Sequence, residues 1–257
     1  MKQNKYDDPD FFMKYSEMPR SKGGLASAAE WPAFRALLPD LEGKRVLDLG
    51  CGYGWHCQFA RAQGARSVTG IDLSEKMLER ARALTPDNQV TYCQTAIEDF
   101  PMEESSFDVV LSSLALHYVE RLDLVCQNVH RGLVAGGSFV FSTEHPVFTA
   151  REAQDWHLGP NGERLHWPVD DYHREGVRHT KWLADDVVKY HRTVATTVNT
   201  LMDAGFRIER LLEPCPTAEM VQAHHEFTDE LRRPIFLIVA AINRKAAGEH
   251  RSAQGFS

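Results

Sequence analysis

No apolar run in this chain is long enough to cross a membrane. The longest, residues 234–242, is nine residues, against the roughly 20 that a spanning helix needs. The first thirty residues carry charges of both signs and no apolar stretch, so a secretory leader is not expected. Cysteine is scarce and scattered. Cys51, Cys57, Cys93, Cys126 and Cys215 contain no Cys-x-x-Cys pair, which removes the zinc knuckle and the thioredoxin-type centre. With no leader, the cytosol is the expected compartment and the thiols are expected to be reduced and mostly buried. No metal is expected either; His224-His225 has nothing nearby to complete a ligand set and reads as a solvated helix face. An excess of positive charge is also missing. A net charge of −7 gives no general attraction for polyphosphate, so nucleic acid is not an expected partner. Internal repeats and low-complexity tracts are absent.

What is present is ordinary globular composition, 43% hydrophobic and 25% charged over 257 residues, enough for one large domain with its own core. Residues 1–26 read as an irregular or partly helical arm with aromatics at Tyr6, Phe11, Phe12 and Tyr15. Residues 27–38 predict a helix, with Trp31, Phe34, Leu37 and Leu38 on one face, Ser27 as N-cap and Pro39 as stop. Strand signals follow at 45–49, 67–71, 89–93, 107–111 and 138–142, with helical stretches at 53–63, 74–84 and 119–133. That alternation calls for a parallel sheet covered by helices on both faces.

The rhythm stops at residue 143. Residues 143–192 hold three of the five tryptophans and six of the twelve histidines, with no clean period. A stretch this long is expected to be a lid or binding insert, with strands or a hairpin near 166–169 and 177–182. Beyond it, 193–204 predict a helix ended by Gly205, 206–212 a strand, 217–231 a further helix and 235–242 an apolar strand with Pro234 at its first position. Residues 244–257 read as a polar tail.

The strongest local signal is Val46-Leu-Asp-Leu-Gly50-Cys-Gly52-Tyr-Gly54 at the first strand-to-helix turn. Glycines there let the backbone approach a ligand closely, and the helix behind offers free N–H groups. The spacing is G-x-G-x-G followed by Trp55 and His56, which departs from the G-x-G-x-x-G dinucleotide fingerprint. Asp48 beside this turn is unhelpful to a pyrophosphate but suits a ligand carrying an ammonium and a sulfonium; it could instead cap the turn. Asp72 ends the second strand, 22 residues after Gly50, where an acidic side chain accepts from both ribose hydroxyls, or caps the next helix together with Ser74.

These motifs, in this order over residues 43–142, resemble the class I S-adenosylmethionine-dependent methyltransferases, in the small-molecule branch that includes the UbiE-like enzymes. VLDLGCGYG is similar to the family's first motif and implies that Gly50, Cys51, Gly52, Tyr53 and Gly54 surround the cofactor. VTGIDLSEKML is similar to the second, with Asp72 on the ribose, Leu73 flanking the adenine and Met77 in the same segment. TAIEDFP is similar to the third, with Ala96 and Ile97 against the adenine. The family often has an acidic residue where Ala96 stands, so Glu98 or Asp99, or the backbone alone, would have to hold the adenine amino group. FDVVLSSLALHYV is similar to the fourth, with Ser113, Leu114 and the residues up to His117 under the methionine portion. LVAGGSFVFS resembles the turn into strand five.

The resemblance implies an α/β, Rossmann-like, seven-stranded and mostly parallel sheet, in which 235–242 is the antiparallel strand between strands five and six. It implies S-adenosyl-L-methionine as cofactor and S-adenosyl-L-homocysteine as product. On this division, 1–42 form an N-terminal arm and helix, 43–142 the cofactor-binding half, 143–192 an acceptor-binding cap inserted after strand five, and 193–257 the rest of the sheet and the tail. Arm and cap are expected to close over the cofactor.

Methyl transfer from a sulfonium to a small-molecule acceptor is an in-line displacement, in which the protein mainly aligns the partners in a dry pocket. A general base is needed only when the acceptor carries a proton of high pKa. His117, His145 and His191 stand near strand ends and have the ordinary pKa for that role; each could equally be a hydrogen-bonded wall residue. Glu144 could pair with a basic acceptor or orient His145. Tyr15, Trp156, Trp167, Tyr172 and Trp182 are candidates for an acceptor pocket, or for local core. One alternative is a non-catalytic S-adenosylmethionine-binding protein. A nicotinamide-dependent oxidoreductase is disfavoured by the glycine spacing and by the lack of a Tyr-x-x-x-Lys pair. A nucleic-acid methyltransferase is disfavoured by Ser112-Ser-Leu-Ala standing where the amino-group DNA enzymes have Asn/Asp-Pro-Pro-aromatic.

Overall fold

Strands in chain order are β1 (Arg45–Leu49), β2 (Ser67–Asp72), β3 (Val90–Gln94), β4 (Phe107–Ser113), β5 (Leu133–Glu144), β6 (His157–Leu158), β7 (Arg164–His166), β8 (Gly176–Trp182), β9 (Ala184–His191), β10 (Phe206–Leu212) and β11 (Phe236–Asn243). The computed structural model describes residues 2–223 and 225–244. The predicted tail beyond residue 244, and His224 of the predicted solvated pair, lie outside the described residues. Seven strands form one sheet in the order β10-β11-β5-β4-β1-β2-β3. β1 pairs in parallel with β2 and β4, β2 with β3 and β4 with β5, while β11 runs antiparallel between β5 and β10. This is the mostly parallel Rossmann-like sheet that the resemblance implies, with its antiparallel strand where expected.

Alternation along β1 builds two cores, because successive side chains of a strand point to opposite faces. Leu47 and Leu49 join Val110, Phe139, Phe141 and Val129 on one side. Val46 joins Val68, Leu78, Val109 and Val140 on the other. The helices are α1 (Pro9–Ser16), α2 (Pro19–Gly23), α3 (Trp31–Ala36), α4 (Trp55–Ala62), α5 (Glu75–Leu84), α6 (Leu122–Gly132), α7 (Pro146–Thr149), α8 (Val194–Asp203) and α9 (Ala218–Ala223). Ser74 caps α5 by accepting from Met77 N, and Thr193 caps α8 by accepting from Thr196 N.

Several boundaries differ from the sequence expectation. The helix expected at 27–38 shrinks to α3, with residues 24–27 in a separate 3₁₀ turn. Pro32 explains it: a proline lacks the N–H that a helix interior needs and is tolerated only in the first turn. The helix expected at 119–133 begins at Leu122, and β5 begins at Leu133 rather than 138. The helix expected at 217–231 is α9 followed by 3₁₀ turns over His225–Arg232. In the insert, β7 ends at His166, because Pro168 cannot donate to a ladder. The stretch expected at 177–182 is β8, which pairs antiparallel with β9.

Candidate functional site

A cleft of about 760 Å³ lies at the C-terminal ends of β1, β2 and β4, where the strand order reverses and open α/β sheets bind ligands. Its floor is the loop after β1. Gly50 has φ of 75°, and a Cβ there would sit 2.4 Å from the Ala115 Cβ; only glycine allows the loops after β1 and β4 to approach this closely. Gly50 N and Cys51 N both donate to Ile71 O at 2.9 Å. Asp72 Oδ2 accepts from Gly52 N and Oδ1 from Ser74 N, each at 2.9 Å. This carboxyl ties the first two motifs together; burial raises its pKa, against the pull of those backbone donors.

Gly50, Cys51, Gly52, Tyr53, Asp72, Leu73, Met77, Ala96, Ile97, Glu98, Ser113, Leu114 and His117 all line the cleft. Leu114 sits at φ 53°, a left-handed backbone held by its N–H donating to Ser142 O at 2.9 Å. Gly54 and Asp48 lie behind the wall. Gly54 begins α4 with φ of 74°. Asp48 is 1% exposed and accepts from the Cys57 thiol at 3.5 Å. Burial pushes its pKa up to about 7, and the charge of Asp72 adds to that. The expectation that Asp48 faces the ligand directly is therefore corrected: it sits one layer below the loop.

Two elements roof the cleft. The arm crosses the loop after β2, where Asp7 accepts from the Ser74 hydroxyl (2.5 Å), Lys76 N (3.2 Å) and the Asn4 amide (2.7 Å). Gln3 brackets β9, donating to Asp186 O at 2.7 Å and accepting from Val188 N at 2.9 Å. Lys2 pairs with Asp99 at 2.8 Å and Glu98 at 3.3 Å. Tyr6, Phe11, Tyr15 and Trp182 pack edge to face or tilted, with centroids 4.9–6.5 Å apart. Tyr15 and Trp182, two of the five predicted aromatics, thus line the cleft. The arm contacts of Gln3, Asn4 and Asp7 carry no sequence signal.

Beneath this roof lies a polar cluster. Lys189 Nζ donates to Glu144 Oε1 at 2.5 Å and to Gln154 Oε1 at 3.3 Å, and Gln154 Nε2 donates to Glu144 Oε2 at 3.2 Å. His117 Nδ1 accepts from Glu144 N at 3.5 Å. All four residues line the cleft. Burial pushes the His117 pKa down to about 4; Glu144 opposes the shift, and Lys189 and Arg192 reinforce it. Lys189 is 1% exposed and escaped sequence reasoning. The usable signal was its position: in β9 it shares the inward phase with Val187 and His191, and a lysine at an inward position needs a partner.

The remaining predicted residues are elsewhere. His145 is buried as the N-cap of α7, its Nδ1 accepting from Val147 N at 3.0 Å and its Nε2 bonding Glu213 Oε1 at 2.8 Å. His191 spans Thr149 Oγ1 (2.7 Å) and Tyr172 O (2.9 Å). Both rings have both nitrogens engaged, and neither lines the cleft, so the expectation that they face an acceptor is corrected. Trp156 and Trp167 pack with Phe148 around the Arg233 guanidinium, which lies 4.1–5.3 Å from the three ring centroids. The Tyr172 hydroxyl accepts from Val194 N at 3.1 Å. These three aromatics are local core of the insert.

The site fits a nucleoside ligand with a charged tail. Trp55 Nε1 is buried with no hydrogen-bond partner among the described residues and belongs to the cleft wall together with Arg20, whose guanidinium also pairs with Glu30, a donor and a cation beside the glycine loop. A family model for a methyltransferase domain matches residues 47–141. A solved S-adenosylmethionine-dependent methyltransferase from Mesorhizobium loti is 51% identical with a TM-score of 0.80, covering 85% of this chain and all of that one. An uncharacterised protein of Haemophilus influenzae is 37% identical over 243 residues, 92% of this chain and 95% of that one. A malonyl-[acyl-carrier protein] O-methyltransferase of Erwinia pyrifoliae is 44% identical over 101 residues, 38% of this chain and only 37% of that protein.

Proposed function

This chain belongs to the class I S-adenosylmethionine-dependent methyltransferases, and we propose that it methylates a small molecule held at the far end of the cleft. S-adenosylmethionine is its cofactor, and when bound it supplies a methyl already activated on a sulfonium. The observation that carries the acceptor class is the roof. With the arm and the β8–β9 hairpin across it, the acceptor has to share about 760 Å³ with the cofactor, inside the range of small-ligand sites.

The chain's own residues then divide the work. Asp72 is placed to accept the ribose hydroxyls. Trp55 Nε1–H and Arg20 offer a donor and a cation to the methionine carboxylate. Tyr15, Trp182 and Tyr6 exclude water and hold the acceptor in line with the methyl, which is most of what an already activated leaving group requires. The five thiols are free, which supports the cytoplasm as the compartment.

The test is a transfer assay with methyl-labelled S-adenosylmethionine and a cell extract split by dialysis. A labelled dialysable product that separates from S-adenosylmethionine is the expected result. Label confined to retained RNA or carrier protein overturns the small-molecule reading, and S-adenosylhomocysteine binding without any transfer overturns catalysis.

A further inference from the structure

The hydrogen bonds at the far end of the cleft leave spare donors and only a weak base. The Nδ1 of His117 accepts from Glu144 N, so the neutral ring keeps its proton on Nε2. Moving that proton to Nδ1 would set two N–H groups against each other. Nε2–H has no protein acceptor among the described residues, and His117 lines the cleft. The Lys189 ammonium has three N–H groups. Two go to Glu144 and Gln154, and the third has no hydrogen-bond acceptor among the described residues. Glu144 accepts from Lys189 and Gln154 through its two oxygens. Burial pushes its pKa up, but the charges of His117 and Lys189 and these hydrogen bonds outweigh that and hold it below the ordinary carboxylate value, which makes it a weak base. The hydroxyls of Tyr6 and Tyr118 face each other at 3.3 Å, and burial raises the pKa of both.

Resting on the small-molecule reading, we infer that the acceptor presents an already ionised oxygen, a carboxylate or an acidic phenol, to His117 Nε2–H and the spare N–H of Lys189. An alcohol would need a stronger base than the lowered Glu144 carboxylate. An amine would bring its own N–H groups against two donors. An ionised oxygen satisfies both donors and needs no proton transfer. Its lone pair forms the O–CH₃ bond while the S–CH₃ bond breaks, and that electron pair goes to sulfur as the neutral thioether leaves. The aromatic walls fit an apolar or aromatic body behind the charged end.

The charge of the labelled product decides it. Purified protein, methyl-labelled S-adenosylmethionine and the dialysable extract are incubated, and the products are separated by ion exchange. The expected product has lost one negative charge. A carboxylate acceptor gives a methyl ester that mild alkali cleaves to labelled methanol; a phenol gives an alkali-stable ether. A labelled amine held by a cation exchanger, a thioether or an ether of an unionised alcohol overturns the inference while leaving the small-molecule reading intact. Label only in macromolecules overturns both.

Variants with that acceptor separate donor from base. His117→Leu raises KM about tenfold or more, the loss of one charge-assisted hydrogen bond, with kcat unchanged or raised, because the oxygen loses its charge as the methyl arrives and the lost bond was stronger before transfer than during it. His117→Gln donates but takes no proton, and it restores most of the KM. Thermal unfolding shows that both variants are folded. A fall in kcat common to both would make His117 a base and overturn the assignment.

Discussion

His145, His117 and His191 all stand near strand ends, and the partners of their ring nitrogens sort them. A histidine bonded at both nitrogens is spent on structure. His145 caps α7 through Nδ1, so His145→Ala costs about 0.5–2 kcal/mol of stability, as for other lost N-caps, and leaves turnover near that of the parent. Urea unfolding and a kcat measurement check the two halves separately; a collapse of kcat at unchanged stability would return His145 to the chemistry. Asp72 is the opposite case. Its carboxylate already orders the glycine loop through Gly52 N and lines the cleft. Asp72→Ala therefore weakens S-adenosylhomocysteine by about 1–3 kcal/mol, the worth of charge-assisted hydrogen bonds. Calorimetric titration reads this directly, and an unchanged affinity would remove Asp72 from the ribose site.

The elements that close the site are the arm and the β8–β9 hairpin, and each is pinned by one carboxylate. Burial pushes the Asp7 pKa up, but hydrogen bonds from Ser74, Lys76 and Asn4 outweigh it and hold the carboxyl below its ordinary value. A lowered folded pKa stabilises docking above the unfolded value and loses that contribution as pH falls through the folded one, so the arm stays down at neutral pH. Asp7→Ala opens the arm to limited proteolysis and raises the Kd for S-adenosylhomocysteine about tenfold, in line with lost hydrogen bonds to a charge; equal protease resistance in variant and parent would refute the arm's role. The hairpin is held by Lys189 on Glu144. Lys189→Met alone leaves a buried carboxylate unpaired and costs about 3–5 kcal/mol, whereas adding Glu144→Gln recovers most of it; denaturant unfolding of both variants decides. These pins show why the sequence was legible unevenly. β1, with four buried positions in a row, and the loop after it are written in local apolar runs and glycines, and they were read to within a residue. Asn4 and Asp7 meet Leu73 and Ser74 across more than 60 positions, and no local pattern records such a contact. Pro32 and Pro168 each move an element boundary, because neither can donate an N–H. Trp156, Trp167 and Tyr172 have the composition of a pocket, yet the arginine that gathers the two tryptophans, Arg233, lies far along the chain.

The whole molecule sets two carboxylates at one ligand loop, Asp48 buried below it and Asp72 on the cleft wall, and both bear on its response to pH. Asp48 has its pKa raised from 3.8 to about 7, chiefly by burial, and Asp72 is raised for the same reason. A folded chain that holds a proton more tightly than the unfolded one loses stability as pH rises from the unfolded value through the folded one. The Asp48 contribution therefore falls as pH rises from the ordinary carboxylate value to about 7. The contributions of Asp7, Asp108 and Glu144, whose folded values are lowered, are complete above the carboxylate range. His56, His117, His145 and His191, also lowered, gain stability as pH rises through the ordinary histidine range and oppose Asp48. Asp48→Asn removes the Asp48 contribution alone and leaves the histidines in place, so the variant gains stability relative to the parent as pH increases. Urea unfolding at several pH values tests this, and a parallel pair of curves would refute it. A cofactor with ammonium and sulfonium charges above the loop favours the ionised form of Asp48. S-adenosylmethionine should then bind the parent more tightly above pH 7 than below it, and Asp48→Asn should flatten that dependence. The buried carboxylate costs the empty fold stability near neutrality and returns part of it when a cationic ligand arrives, so the charge that destabilises the free molecule also selects what fills it.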